Sequence, residues 1–137
     1  MKKICSIVLV LSLLLSVLVV PIYASNMANA RWTNTSSVIL THEYYNGNAE
    51  CYIAITGYTG AVITNVTISL DKVMGSSLVN IATWSNLSAE NRFRFSEYVP
   101  GVEIDCIYRL SLTADVIIDG VVEHLDLYED EFYTETE

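Results

Sequence analysis

The chain has 137 residues, with seven Lys and Arg against 16 Asp and Glu, a formal net charge of −9, and a composition that is 52% hydrophobic. A length of this order makes one small domain. The acidic balance argues against nucleic acid and anionic lipid as partners, since both need clustered cations.

Met1-Lys2-Lys3 forms a short positive start, followed by an apolar stretch from Ile4 to Val20 that Pro21 ends. Ile22-Tyr23-Ala24 then offers a small residue where a signal peptidase can cut, with Ala28-Asn29-Ala30 as a second site. This layout predicts a secretory signal peptide over 1–24, as a helix, with alternative cleavage after 30. The rival reading is a membrane anchor, because about 17 apolar residues lie near the lower limit for spanning a bilayer. Cys5 stands at the very start of the apolar stretch rather than after it and so cannot serve as a lipoprotein cysteine. The expected product is secreted, touching a membrane only through an uncleaved signal segment. Removal of 1–24 takes away two lysines and one cysteine, which leaves a formal charge of −11 and the even pair Cys51 and Cys106. In an oxidising compartment such a pair is expected to bond.

After a linker over 25–36, the segments are short, rich in Val, Ile, Thr and Tyr, and separated by turn residues, which predicts strands rather than helices. The first strand covers Ser37–Tyr45, and Asn46-Gly47 supplies the left-handed pair of a tight hairpin. In the second, 48–56, Ala49, Cys51, Ile53 and Ile55 alternate with polar neighbours and so share one face. Gly57-Tyr58-Thr59-Gly60 turns the chain into "AVITNVTISLDKV", where Val66, Ile68 and Leu70 alternate. Gly75-Ser76-Ser77 breaks the pattern before "LVNIATW" (78–84), whose imperfect period leaves the inward face open between its large residues Leu78, Ile81 and Trp84. "RFRFSEYV" (92–99) turns Phe93, Phe95 and either Tyr98 or Val99 to the core, and Pro100-Gly101 ends it. In the longest strand, 104–117, Cys106, Tyr108, Leu110, Leu112 and Ala114 share a face. Asp119-Gly120 is a second hairpin signal, leading into "VVEHLDLY" (121–128). Seven such segments predict an all-β, antiparallel sandwich over 37–128, with a frayed acidic tail over 129–137.

Cys51 and Cys106 both fall on the apolar phase of their strands. A bridge between them would close a loop of about 56 residues, worth on the order of 4 kcal/mol in the chain-entropy model. The alternative is two buried free thiols that act as small hydrophobes.

Two buried cysteines on separate strands plus a tryptophan partly resemble the immunoglobulin fold. Trp84, however, follows Cys51 by 33 positions, and Ile104 stands where a tyrosine is expected before the second cysteine. Tyr108-x-Leu110-x-Leu112-x-Ala114 resembles the penultimate strand of fibronectin type III domains, with Tyr108 in the tyrosine-corner role. The chain is most similar to small secreted β-sandwich proteins of Gram-positive gut bacteria, through "AECYIAITGYTG", "TNVTISLDK", "LVNIATWS" and "YRLSLTADVIIDG", over about residues 37 to 124. That resemblance implies an immunoglobulin/fibronectin-like fold and secretion, and no activity.

No catalytic, cofactor or metal constellation emerges. His42 and His124 are expected on polar strand faces, and no G-x-S-x-G frames a serine. No C-x₂₋₄-C or H-x₃₋₅-H spacing suits zinc. The carboxylates around the last hairpin (Asp115, Asp119, Glu123, Asp126) and those of the tail form no EF-hand, so they read as solvated charge. The sequons at Asn34, Asn65 and Asn86 are read as accidental in a bacterial protein. Tyr44, Tyr45, Tyr52 and Tyr58 cluster about the first hairpin and the following turn. Such rings suit contact with a sugar or a protein, which makes these four the candidate recognition surface. The expectation is therefore a secreted, non-enzymatic binding module with an extracellular protein or glycan as partner. A secreted effector, presenting "MGSSLVN" or "NLSAEN" as a rigid loop, and a structural envelope component are the alternatives.

Overall fold

The computed structural model describes residues 31–135. The expected signal segment, both cleavage sites and the last two residues lie outside the described residues. Seven strands follow one another: β1 (Thr35–Tyr45), β2 (Asn48–Gly57), β3 (Val62–Met74), β4 (Ser77–Glu90), β5 (Arg92–Pro100), β6 (Cys106–Ile118) and β7 (Val121–Tyr133). They form a three-stranded sheet, β1-β2-β5, and a four-stranded sheet, β4-β3-β6-β7, in which every pairing is antiparallel.

Local chemistry accounts for the hairpins. Asn46 and Gly47 adopt φ of 49° and 73°, and Asp119 and Gly120 adopt 49° and 77°. Two successive positive φ values make the turn whose twist matches that of the flanking strands. The expected alternation then builds the core. Ala49, Cys51, Ile53 and Ile55 of β2 face Ile63, Val66, Ile68 and Leu70 of β3 and Leu110, Leu112, Ala114 and Val116 of β6, all fully buried. The step from Ile63 to Val66 would break a strict alternation. A bulge at Thr64–Asn65, with Asn65 at a φ of 51°, absorbs the extra residue and restores the phase.

At the end of the molecule away from the first hairpin, the chain passes between the sheets twice, after β2 and after β4. The two crossings are tied together: Gly57 N donates to Asn91 O (2.8 Å), Asn91 N donates to Ala61 O (2.9 Å) and Gly60 N donates to Asn91 Oδ1 (3.1 Å). A Cβ on Gly57 would lie 2.4 Å from that of Ala61, so glycine is what lets the first crossing fold back tightly on itself.

Several sequence expectations need correction. Residues 129–133 belong to β7 and are not a frayed tail. The inward phase of Leu125 and Leu127 continues to a buried Tyr133, and on the other face a buried Asp130 receives Arg109. The expected linker ends earlier, because Asn34 is buried and its Nδ2 donates to Val116 O and Val121 O, both at 2.8 Å. Glu123 Oε2 meanwhile accepts from Asn34 N (3.0 Å) and from Thr33 Oγ1 (2.8 Å). The nitrogen of the Asn34 sequon thus serves the fold. "MGSSLVN" and "NLSAEN" are not loops: the first is a tight turn between β3 and β4, and the second lies mostly within β4. His42 is buried, not on a polar face, since it shares the phase of Val38 and Leu40.

Cys51 and Cys106 both lie on the inward phase, but they are free thiols rather than the expected disulfide. Cys51 is enclosed beside Tyr44, and burial pushes its thiol up to about 12. Cys106 opens β6, half-buried, near the Lys72 ammonium.

Candidate functional site

The first hairpin closes the end of the sandwich opposite the two tied crossings. Alternation sends His42 and Tyr44 inward from β1, and Glu43 and Tyr45 outward. Inside, the Tyr44 ring stacks on Tyr108 (centroids 5.1 Å apart, planes at 27°) and on Tyr133 (5.3 Å, 25°). His42 meets Tyr44 edge-on and shares a 2.5 Å hydrogen bond with it between Nδ1 and Oη. The stack is pinned to both nearby loops. Tyr133 Oη accepts from Gly47 N (2.9 Å), and Tyr108 Oη accepts from Glu103 N (2.7 Å). Burial holds the His42 imidazole down at about 4, a shift that the Glu129 backbone and the Asp130 carboxylate only partly offset. Burial likewise drives the Tyr44 phenol well above its ordinary range.

On the outside, the register of three strands sets out a row. Glu43 of β1 lies opposite Glu50 of β2, which lies opposite Tyr98 of β5, and the next row holds Tyr45, Asn48 and Pro100. Glu43, Tyr45, Asn48, Glu50 and Tyr98 border a groove of about 440 Å³ that reaches inward to Tyr44. Tyr45 and Tyr98 are 75% and 67% exposed, so both rings offer their faces to solvent. A smaller recess of about 210 Å³ adjoins it in the seam between β1 and β7, lined by His42, Tyr44, Glu131 and Tyr133 among others. There burial and the Glu43 charge raise the Glu131 carboxyl. In the groove, the Glu50 charge raises the Tyr98 phenol.

No ion pair among the described residues reaches Glu43 or Glu50. Lys72 is held by Glu103 and Arg109 by Asp130. Arg94 and Arg92 lie opposite Ala54 and Thr56. They stand two and three rows from Glu50, and two rows are about 13 Å.

The four tyrosines expected to form one surface therefore separate. Tyr45 stands in the groove and Tyr44, whose ring points inward, also lines it. Tyr52 lies one row farther along the same sheet face, between Thr41 and Ser96. Tyr58 sits in the loop after β2, at the opposite end, where its N–H donates to Asn34 O. Sequence reasoning missed Glu43 and Glu50, although the two-residue turn at Asn46-Gly47 already sets them opposite each other. It also left Tyr98 undecided against Val99; Val99 is buried and Tyr98 points out.

The outer face of the four-stranded sheet is polar in another way. Asp71 accepts from Ser69 Oγ and Asn80 Nδ2, both at 2.9 Å. Arg109 makes a two-pronged contact with Asp130 (2.6 and 2.8 Å), and its guanidinium lies 4.1 Å from the centre of the Tyr128 ring. Asp115 is held by Asn65 Nδ2 (2.8 Å) and His124 Nδ1 (2.7 Å). Two serines of this face, Ser69 and Ser111, pair with each other two rows from Asp115, which is about 13 Å. Among the described residues no three His, Cys, Asp or Glu side chains form a group able to hold a metal ion.

No protein-family model matches the chain, and no curated protein or solved structure is significantly similar to it.

Proposed function

We propose that this chain is an exported, non-enzymatic binding module of the immunoglobulin/fibronectin type III-like class, and that the groove at the first hairpin is its recognition face. The fold assignment is supported by the strand order. With the strands lettered A to G in sequence, A, B and E form one sheet and G, F and C the other, as in immunoglobulin-type sandwiches, and the fourth strand joins C. It is also supported by Tyr108, whose hydroxyl returns to the backbone of Glu103 across the turn that precedes β6. Export is supported by the basic, apolar, small-residue order of residues 1–24. The partner is an extracellular protein or glycan.

One observation carries the binding reading: two solvent-facing tyrosine rings stand over a concave surface lined by polar side chains. Exposed aromatics on a rigid sheet give contact area at low entropic cost. Amide-shift mapping by NMR, with a panel of glycans and peptides, tests it. Shifts should concentrate on Tyr45, Asn48, Glu50 and Tyr98; shifts concentrated on the four-stranded face would overturn the assignment.

A further inference from the structure

We infer that the groove at the first hairpin binds an organic cation, the ammonium or guanidinium head of a ligand, held between Glu43 and Glu50 and roofed by Tyr45 and Tyr98. This rests on the groove being the recognition face and names the chemistry it selects.

Three observations converge. First, Glu43 and Glu50 are directly opposed on neighbouring strands, so their Cβ atoms lie about 5 Å apart. Like charges at that spacing destabilise a sheet. Among the described residues no cation relieves the pair, and Glu50 has only the neutral Tyr98 phenol as a hydrogen-bond partner: the nearest cations are committed to Glu103 and Asp130 or stand at least two rows away. In the registered pairs Asp71–Arg109 and Arg109–Asp130, by contrast, the two charges are of opposite sign. Second, the unrelieved pair is flanked by rings, Tyr98 in the same row and Tyr45 in the next. A cation over a tyrosine face gains from the ring quadrupole, and two carboxylates beneath supply the countercharge. Third, the surface is concave, and its volume of about 440 Å³ admits a charged head with a short aliphatic stem. The net charge of −9 adds a field that draws cations in.

A hard metal ion fits less well, because calcium needs six to eight converging oxygens and the groove offers two carboxylates and one amide. A neutral sugar would use the rings and the hydrogen-bonding groups but has no need of two adjacent negative charges.

The test uses ¹⁵N-labelled protein expressed from the full chain and four kinds of probe. These are tetramethylammonium, arginine amide with citrulline amide as its neutral isostere, a short Lys/Arg-containing peptide, and calcium chloride. Saturable shifts at Tyr45, Asn48, Glu50 and Tyr98 are expected with the cationic probes, and citrulline amide should bind at least about tenfold more weakly. If the peptide binds more tightly than arginine amide, the cation comes from a protein side chain; if tetramethylammonium binds best, it comes from a small quaternary amine. The exposed, isosteric pair E43Q/E50Q should weaken the cations about tenfold or more with the fold intact. Tyr98→Phe should stay within about twofold while Tyr98→Ala loses about two- to fivefold. Raising NaCl should weaken binding in wild type but not in E43Q/E50Q. Equal binding of citrulline and arginine amides, or affinities unchanged in E43Q/E50Q, would overturn the cation inference and leave the recognition face standing. Displacement of the organic cations by calcium at equal concentration would overturn it in favour of a metal. Absence of groove shifts with all probes, charged and neutral, would overturn both readings.

Discussion

On the outer face of the four-stranded sheet, Arg109 is answered by Asp130 and Asp71, and Asp115 by His124 and Asn65. On the outer face of the three-stranded sheet, Glu43 and Glu50 oppose each other with rings rather than cations alongside. Both faces are polar strand surfaces of one small domain, yet only the first has its electrostatics completed internally. A completed network rigidifies the strands it spans and leaves little for a ligand to gain. An uncompleted one holds free energy that a partner of opposite charge can release. The contrast marks the first as a structural surface and supports the proposal that the second is the recognition surface.

Acid should have the largest effect, through the seam beneath the two faces. His42 is held at about 4 against 6.5 in the unfolded chain. Between those values the unfolded state takes up a proton that the folded state does not, so stability falls as pH drops from 6.5 to about 4 and levels off below. The loss is on the order of 3 kcal/mol. Glu129 and Glu131 oppose it, since burial raises both carboxyls and the folded state gains protons as pH falls through their range. Urea midpoints measured against pH should show the fall in wild type and a clearly shallower one in His42→Gln.

Next in size is the completed face. Arg109→Ala leaves the buried Asp130 carboxylate without its two-pronged donor and should cost about 2 kcal/mol. The double variant R109A/D130A should recover part of that loss in the same denaturation assay, because the stranded charge is gone. The recognition face should respond with the opposite sign. Glu50→Gln or Glu43→Gln relieves repulsion and should raise stability by roughly 0.5 kcal/mol or less. If Arg109→Ala proved neutral, or if either glutamine variant were destabilising by 1 kcal/mol or more, the contrast between the faces would collapse. The smallest effect concerns the thiols. Iodoacetamide should modify Cys106 in the native protein with no change in unfolding midpoint, while Cys51 reacts only on unfolding, as intact-mass spectrometry would record.

Much of this architecture was legible from short-range signals. The Asn46-Gly47 and Asp119-Gly120 pairs marked both tight hairpins, and the alternation in β2 and β6 picked out the buried rows correctly. The burial of Tyr108 was legible from the phase it shares with Leu110, Leu112 and Ala114. The misreadings have a common origin. Glu129–Tyr133 looked like a solvated tail because Asp130 becomes acceptable in a strand only when Arg109, 21 positions away, stands across from it. His42 looked like a surface residue because its burial depends on Tyr44 and β7 together. Tyr58 joined the wrong group because nearness along the chain was taken for nearness in space. The cysteine count suggested a bridge, but a shared inward phase places two residues in one core without placing them side by side.

Period-two alternation and turn chemistry act over a few residues through backbone sterics and side-chain direction. Strand identity, hairpin register and the opposition of Glu43 to Glu50 were therefore already written in the chain. The pairing of β2 with β5 joins residues about 45 positions apart, and it alone brings Tyr98 beside Glu50. That pairing depends on loop closure and on the packing of two sheets, which reward contacts only after distant segments have met. The proposed recognition face belongs to the tertiary structure for that reason.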